Sequence, residues 1–502
     1  VTTGFLAIRR RLLGMLFLAG AAAVCAPADA QTVGGQDTRL RLDQGIDRRS
    51  ADREARLLDD ADDLSAPPTS IEINGTTYTV SNDVNEMGQA LYVSVMRRVW
   101  PDVRRFLKAY LALEAHDPML VLYAKGALAR QAGDLRAAEG HYRAIVDIRA
   151  DFVPGQLELA RILFENRKDR DALRAFRQTR AVLAAQGDQA AGVVRTVDDF
   201  LRALEQRRGW QGYFAIGPGY SSNLNQSSAG YACLLAADDG TCLIDRTMPA
   251  PIKSAGINFE GTINRRVPLG GNSGISGRAL VFGDIYPGNG DFSQATLTTQ
   301  LGYDYRTAKA SLTLSPTFDL GTFGPEVLYG ATGFRAEAMY TLSRALAVRI
   351  EASRKTLRYR QAAYAVHDGG LTEAYLTGWY ALPKGWTLFG GPDFLDKNAD
   401  DPADGYRQYG ARVGLNKQFG AAINVLLIAS YRVRDQDAYS ALLEAKRRDR
   451  EQNYTAILKI PALKFAKLMP SLLVQHNRVN SNVGWLYSYR RTTASMRLEY
   501  AF

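Results

Sequence analysis

Two spacings of apolar positions divide the chain. From Val84 to about residue 208 apolar side chains recur at helical intervals, and after Gly209-Trp210 they alternate one by one to the end. In the first stretch small and aromatic landmarks repeat 34 residues apart: Gly126 with Ala160, Ala138 with Ala172, Tyr142 with Phe176. That is the tetratricopeptide period, in which a small residue lets paired helices approach and an aromatic fills the gap. Two such repeats, with Asp134 and Asp169 at the inter-helix turns and flanking helices over 88–114 and 189–207, predict a short superhelix. Its concave groove suits a peptide or partner helix, and repeat position points Tyr123, Arg130, Arg161 and Phe164 toward it, although Tyr123 and Phe164 also read as packing residues and the two arginines as solvated.

In the second stretch one face of each segment is apolar or small and the other carries the charges. Ala255, Ile257, Phe259 and Ile263 alternate with Ser254, Asn258, Glu260 and Thr262, and Met496, Leu498, Tyr500 and Phe502 alternate with Ser495, Arg497 and Glu499. Fourteen such segments can be counted, near 211–222, 253–265, 274–285, 291–305, 309–319, 326–341, 344–356, 369–382, 385–396, 404–418, 420–434, 447–461, 463–478 and 487–502. Short links such as Ser343-Arg344 and Pro383-Lys384-Gly385 alternate with long polar ones, including 223–252, 357–368, 397–403 and 435–446. An even count, alternating link lengths and a terminal aromatic predict a 14-stranded antiparallel transmembrane β-barrel of the outer-membrane type over 209–502. Asn258, Glu260, Asp304, Arg497 and Glu499 should face its lumen, and Phe502 should serve as the assembly signal. Eight strands leave an interior filled with side chains and 16–18 leave a channel, so about fourteen predict a narrow lumen.

Residues 1–30 carry Arg9, Arg10 and Arg11, an apolar run from Leu12 to Val24, and Ala28-Asp29-Ala30, the order of a cleaved secretory signal peptide. A lipid anchor at Cys25 would want a small residue where Val24 stands. Residues 31–84 read as a flexible arm ending in a small hairpin around Asn74-Gly75. The order is thus a leader, an arm, a tetratricopeptide-like helical domain over 85–208 and the barrel. With an even strand count both barrel ends lie on one side, which places the helical domain in the periplasm.

The chain has 502 residues and a formal charge of +10; without the leader, 59 basic and 51 acidic side chains remain, spread along the sequence. No clustered basic face argues for nucleic acid. Only Cys233 and Cys242 lie beyond the leader, and outside the cytoplasm they should form a structural disulfide, since eight intervening residues and no nearby His fit neither CxxC chemistry nor zinc. His367-Asp368 sits at a predicted rim without a serine nucleophile or second carboxylate cluster, and no HExxH, P-loop, GxSxG or dinucleotide motif occurs. Neither a catalytic site nor a metal or cofactor is expected. The run Lys446 to Glu451 reads as a barrel rim that could meet lipopolysaccharide phosphates.

This order of parts resembles the surface lipoprotein assembly modulator (Slam) family, the outer-membrane translocons of type XI secretion. The resemblance is carried by Glu86 to Tyr92, Ala124 to Arg130, Leu157 to Glu165, Tyr220 to Asn225 and Arg478 to Asn482, and covers about residues 71–502. It implies export of particular lipoproteins, or of soluble haemophore-like proteins, from the periplasm to the cell surface or medium, with the barrel-assembly machinery and outer-membrane lipid as further partners. Two other readings are an exopolysaccharide exporter, which would want lumen carboxylates and aromatics along a sugar path and a longer helical array, and a diffusion porin.

Overall fold

The computed structural model describes residue 80, residues 83–441 and residues 443–502. The leader, the hairpin around Asn74-Gly75 and the arm lie outside the described residues, apart from Val80, Asp83 and Val84, the last of which already belongs to the first helix. Helices α1 (Val84–Met96), α2 (Trp100–Leu111), α3 (Pro118–Gln131), α4 (Leu135–Ile148), α5 (Val153–Glu165), α6 (Asp169–Ala184) and α7 (Ala191–Arg208) come first. Their starts follow local chemistry. The Asp83 carboxylate accepts from the Asn85 and Glu86 amides, Asp117 from Met119 beside Pro118, and Asp134 from Ala137. The flanking stretch over 88–114 holds two helices, because Arg98 turns left-handed at φ 57° and Pro101 opens the second.

The 34-residue landmarks have a direct packing cause. A Cβ on Gly126 would lie 2.8 Å from the Tyr142 ring, so only glycine lets α3 and α4 close around that aromatic. One repeat later, Ala160 and Phe176 take these places in a second core and are fully buried. The first core joins α1 to α4 and takes in Ile162 of α5, and the second joins α5 to α7, where Phe200 stacks on Phe176 and meets Phe164 edge-on at 5.0 Å.

The rest forms a closed antiparallel barrel of fourteen strands, each paired with its neighbours in chain order and the first closed on the last. The strands are β1 (Gln211–Ser221), β4 (Ser254–Gly270), β5 (Ser273–Ile285), β6 (Gln294–Arg306), β7 (Ala310–Phe323), β8 (Glu326–Thr341), β9 (Leu346–Tyr359), β10 (Gly369–Leu382), β11 (Trp386–Lys397), β12 (Tyr406–Phe419), β13 (Ile423–Gln436), β14 (Arg448–Lys459), β15 (Leu468–Ser481) and β16 (Tyr489–Ala501). A separate two-stranded ribbon, β2 (Tyr231–Ala236) with β3 (Cys242–Thr247), rises from the first long link and carries the Cys233–Cys242 disulfide. Outward positions such as Leu301, Ile350, Val413 and Met496 are exposed, and the alternate positions are buried inside. Apolar side chains facing outward from a closed barrel are the inverse of a soluble sandwich and fit a lipid surround.

The alternation of link lengths holds with two exceptions. Gly324-Pro325 makes a two-residue turn at the end away from the helices, with Gly324 at φ 62°, and residues 460–467 make an eight-residue link at the helix end. Barrel closure is continuous at both ends of β1 and β16: Gly212 and Phe502 exchange two backbone hydrogen bonds of 3.1 Å, and Ser222 donates to Thr492 at 2.9 Å. Between them register pairs stop at Ile216–Leu498 and resume at Gly219–Ser495, because Pro218 has no N–H. Pro316 interrupts β6 and β7 in the same way between Gln300–Thr317 and Tyr303–Leu314.

Candidate functional site

The helical stack meets the barrel at one edge, where β4 continues past the wall to Gly270 and turns back through Gly271-Asn272. Asp169, the first residue of α6, is buried there between two arginines. Its Oδ1 accepts from Arg207 of α7 at 2.7 Å and its Oδ2 accepts from Arg266 of β4 at 3.1 Å. Arg266 in turn pairs with Asp304 of β6, which also binds Arg306 at 2.8 Å. A charge of alternating sign thus runs from α7 through α6 into the lumen wall. The surrounding contacts are backbone-directed: Gly271 donates to the Asp171 carboxylate at 3.0 Å, Asn272 Nδ2 to the Asn166 carbonyl at 2.5 Å, and Arg265 to the Arg208 carbonyl at 3.2 Å. Buried ions need several such partners, and a junction built this way fixes orientation at the expense of easy separation.

Inside the barrel, long cationic side chains reach the second strand along the wall. Arg497 of β16 donates to Glu260 of β4 at 2.8 Å across β1, Lys459 of β14 pairs with Glu499 of β16 at 2.7 Å, Lys355 of β9 with Asp319 of β7 at 2.7 Å, and Arg432 of β13 with Asp393 of β11 at 2.8 Å. Tyr213 donates to Glu260, and Asn258 Nδ2 donates to Asp284 at 2.8 Å. All five lumen candidates, Asn258, Glu260, Asp304, Arg497 and Glu499, lie inside and buried. Each is held by neighbours, and the wall carries cations and carboxylates interleaved. Such a wall has little field of one sign with which to select ions.

The groove candidates sit deeper than repeat position suggested. Phe164 is fully buried under Phe200, with the Arg207 guanidinium 3.8 Å over its ring. Tyr123 packs edge-on to Tyr142 at 5.7 Å, and burial, followed by the Glu158 charge, pushes both phenols above their ordinary range. Arg161 is buried against Glu158 at 2.6 Å, and Arg130 pairs with Glu165 at 2.9 Å and Glu158 at 3.9 Å. These four residues join α3, α4, α5 and α7 to one another; Tyr123 and Phe164 are core and do not line an open groove.

At the far rim, His367 is buried beside Tyr359 and Tyr364, and its Nδ1 lies 3.1 Å from Asp404. Its sequence neighbour Asp368 turns away, accepting from the Tyr359 amide at 2.6 Å and from Arg358 at 3.2 Å. The pair suggested by adjacency is therefore two separate loop fasteners. In the run from Lys446, Arg447 binds Asp449 at 2.7 Å and lies 3.4 Å over Tyr487, while Glu451 pairs with Arg434 inside the barrel. Among the described residues no three His, Cys, Asp or Glu side chains come close enough to hold a metal.

A helical repeat domain fastened to the rim of a closed, lipid-facing barrel defines a class: outer-membrane barrels with a periplasmic accessory domain. The family model for the surface lipoprotein assembly modifier matches residues 210–502, and the model for that family's N-terminal TPR repeats matches residues 73–176. The chain is 34% identical over 479 residues to a hemophilin secretion modulator of Acinetobacter baumannii, covering 93% of this chain and 96% of that one. It is 24% identical over 426 residues to surface lipoprotein assembly modifier 1 of Neisseria meningitidis serogroup B, covering 82% of each. Among solved structures, the outer membrane channel DcaP of Acinetobacter baumannii aligns with 59% of this chain and 96% of its own, at 9% identity and a TM-score of 0.35. The chain belongs to the surface lipoprotein assembly modifier family. It is an outer-membrane protein with its helical domain in the periplasm.

Proposed function

We propose that this chain is a translocon, not an enzyme, that carries specific proteins from the periplasm to the cell surface or medium. The clients are lipoproteins or soluble haemophore-like proteins, in keeping with the names of its relatives. The observation that carries the reading is the buried chain Arg207–Asp169–Arg266–Asp304, which holds a periplasmic repeat domain at the barrel mouth. A diffusion pore has no use for such a domain.

The mechanism is conformational. A client held near the mouth enters unfolded or partly folded, because a barrel of about fourteen strands is too narrow for a folded domain. It leaves through the lumen or through the β1–β16 seam, where the ladder is interrupted at Pro218. Interleaved wall charges bind one another and leave few sites at which an extended chain would stick. Tyr123, Arg130, Arg161 and Phe164 act by holding the receiving domain in shape, and Phe502 directs assembly by the barrel machinery. Lipopolysaccharide meets the rim.

The test is a comparison of surface-exposed and secreted proteins in cells with and without this chain. Loss of one or two specific proteins, with their accumulation in the periplasm, supports the translocon. An unchanged protein profile with reduced surface polysaccharide would make it a sugar exporter.

A further inference from the structure

The β2–β3 ribbon stands at the external rim and is bonded to no other sheet among the described residues. Its root is tightly tied. Asn223 accepts from the Ser227 amide at 2.9 Å and donates to the Arg490 carbonyl at 3.0 Å, Ile252 donates to Asn225 Oδ1 at 3.0 Å, and Ser228 donates to the Trp485 carbonyl. These bonds clamp the ribbon to the external end of the β1–β16 seam. Met248 donates to Gly230 at 2.8 Å at its base, Gly240 at φ 84° turns its tip, and the disulfide staples the strands between.

An isolated two-stranded ribbon in water is marginal, and a bare strand edge is a liability that proteins usually blunt with lysine, proline or an inward charge. β2 reads Tyr-Ala-Cys-Leu-Leu-Ala, without lysine, proline or charge, and a bulge leaves Leu234 outside its pairing with β3. Tyr231 and Leu234, with Leu243 across the ribbon, are exposed at 58%, 42% and 61%. A covalent staple, a fixed root and an uncharged apolar edge together describe a strand kept ready for pairing.

We infer that the free edge of β2 receives an extended segment of the exported protein as it emerges, adding it as a third strand. The inference rests on the translocon reading above. A row of backbone N–H and C=O groups at strand spacing matches another polypeptide and neither an acyl chain nor a sugar, and exposed Leu234 favours a segment with apolar side chains at alternate positions. Rooted beside the seam, the edge is passed by each molecule that leaves. Pairing there captures the client before it folds and opposes its return.

The probe is the protein lost from the surface of cells lacking this chain, carrying an epitope tag. A photo-cross-linking residue in place of Leu234 is expected to form an adduct with that client during export, and the same residue in place of lipid-facing Leu301 is not. Leu234→Lys together with Ala236→Lys, with the disulfide verified on a non-reducing gel, is expected to abolish capture of the client by a cross-linker at Tyr231 and to slow its appearance outside. Adducts only with lipopolysaccharide or with a second copy of the chain, or unaltered export by the double variant, would overturn the inference. If cells lacking the chain export every protein normally, the translocon reading itself fails, whatever the ribbon does.

Discussion

Asp169 and Arg266 stand 97 positions apart in the chain and meet at 3.1 Å, both buried, where the last helices touch the barrel. Neither is satisfied alone, since Asp169 also holds Arg207 and Arg266 also holds Asp304. Removing one member of a buried ion pair strands the other, at a cost of about 3–5 kcal/mol. Asp169→Asn or Arg266→Met should therefore loosen the helical domain without unfolding the barrel. The check is limited proteolysis near Gly209 in outer-membrane preparations: cleavage should accelerate in both variants while the barrel keeps its heat-dependent gel shift, and client export should fall.

Tyr142 fills the space opened by Gly126, and the pair sets the packing of α3 on α4. Truncation of so large a buried aromatic in Tyr142→Ala should cost about 3–5 kcal/mol. Gly126→Leu should be as harmful, since even a Cβ would meet the ring at 2.8 Å. In thermal scans of the full chain in detergent, the helical signal should melt earlier in both, with the strand signal unchanged.

Stability of the helical domain should fall at both extremes of pH. Burial, with Lys125 nearby, lowers the His141 pKa below 6.5, so the unfolded chain takes up a proton that the folded one refuses. That contribution is present above about pH 6.5 and is lost as the pH drops through the folded value. Tyr123 and Tyr142 are raised above 10.0, so their contribution is complete below that pH and fades above it. Helical melting temperatures measured from pH 4 to 11 should show both declines, and His141→Gln should flatten the acid one.

Phe502 closes the barrel by backbone bonds to Gly212, and its ring lies over the same glycine, where a Cβ would approach within 2.8 Å. Phe502→Ala and Gly212→Leu should both lower the amount of heat-modifiable barrel in the outer membrane. A stronger effect of Phe502→Ala on assembly rate than on the melting temperature of barrels already formed is expected if the residue is read during assembly.

Much of this architecture is legible in the sequence because period-two alternation is strict where water lines one face and lipid the other. Asn258, Glu260, Asp304, Arg497 and Glu499 fall inward by that count alone. The end of β4 is less legible: the alternation is counted only to residue 265, yet the strand runs on to Gly270, where α6 and α7 supply partners for Arg265 and Arg266. No local pattern announces a partner nearly a hundred positions away. The packing role of Phe164 is hard to read for a related reason. Repeat position gives the side of a helix on which Phe164 lies but not that Phe200 of α7 covers it.

The most direct measurement places a photo-cross-linking residue at Thr298, an inward, buried and uncharged position on β6, with lipid-facing Leu301 as control. The client is expressed with an engineered disulfide across its fold so that it stalls in transit. Passage through this barrel predicts an adduct between the stalled client and position 298 and none at 301. A client that reaches the surface with its disulfide intact, or stalls without touching position 298 or the β1–β16 seam, would contradict it.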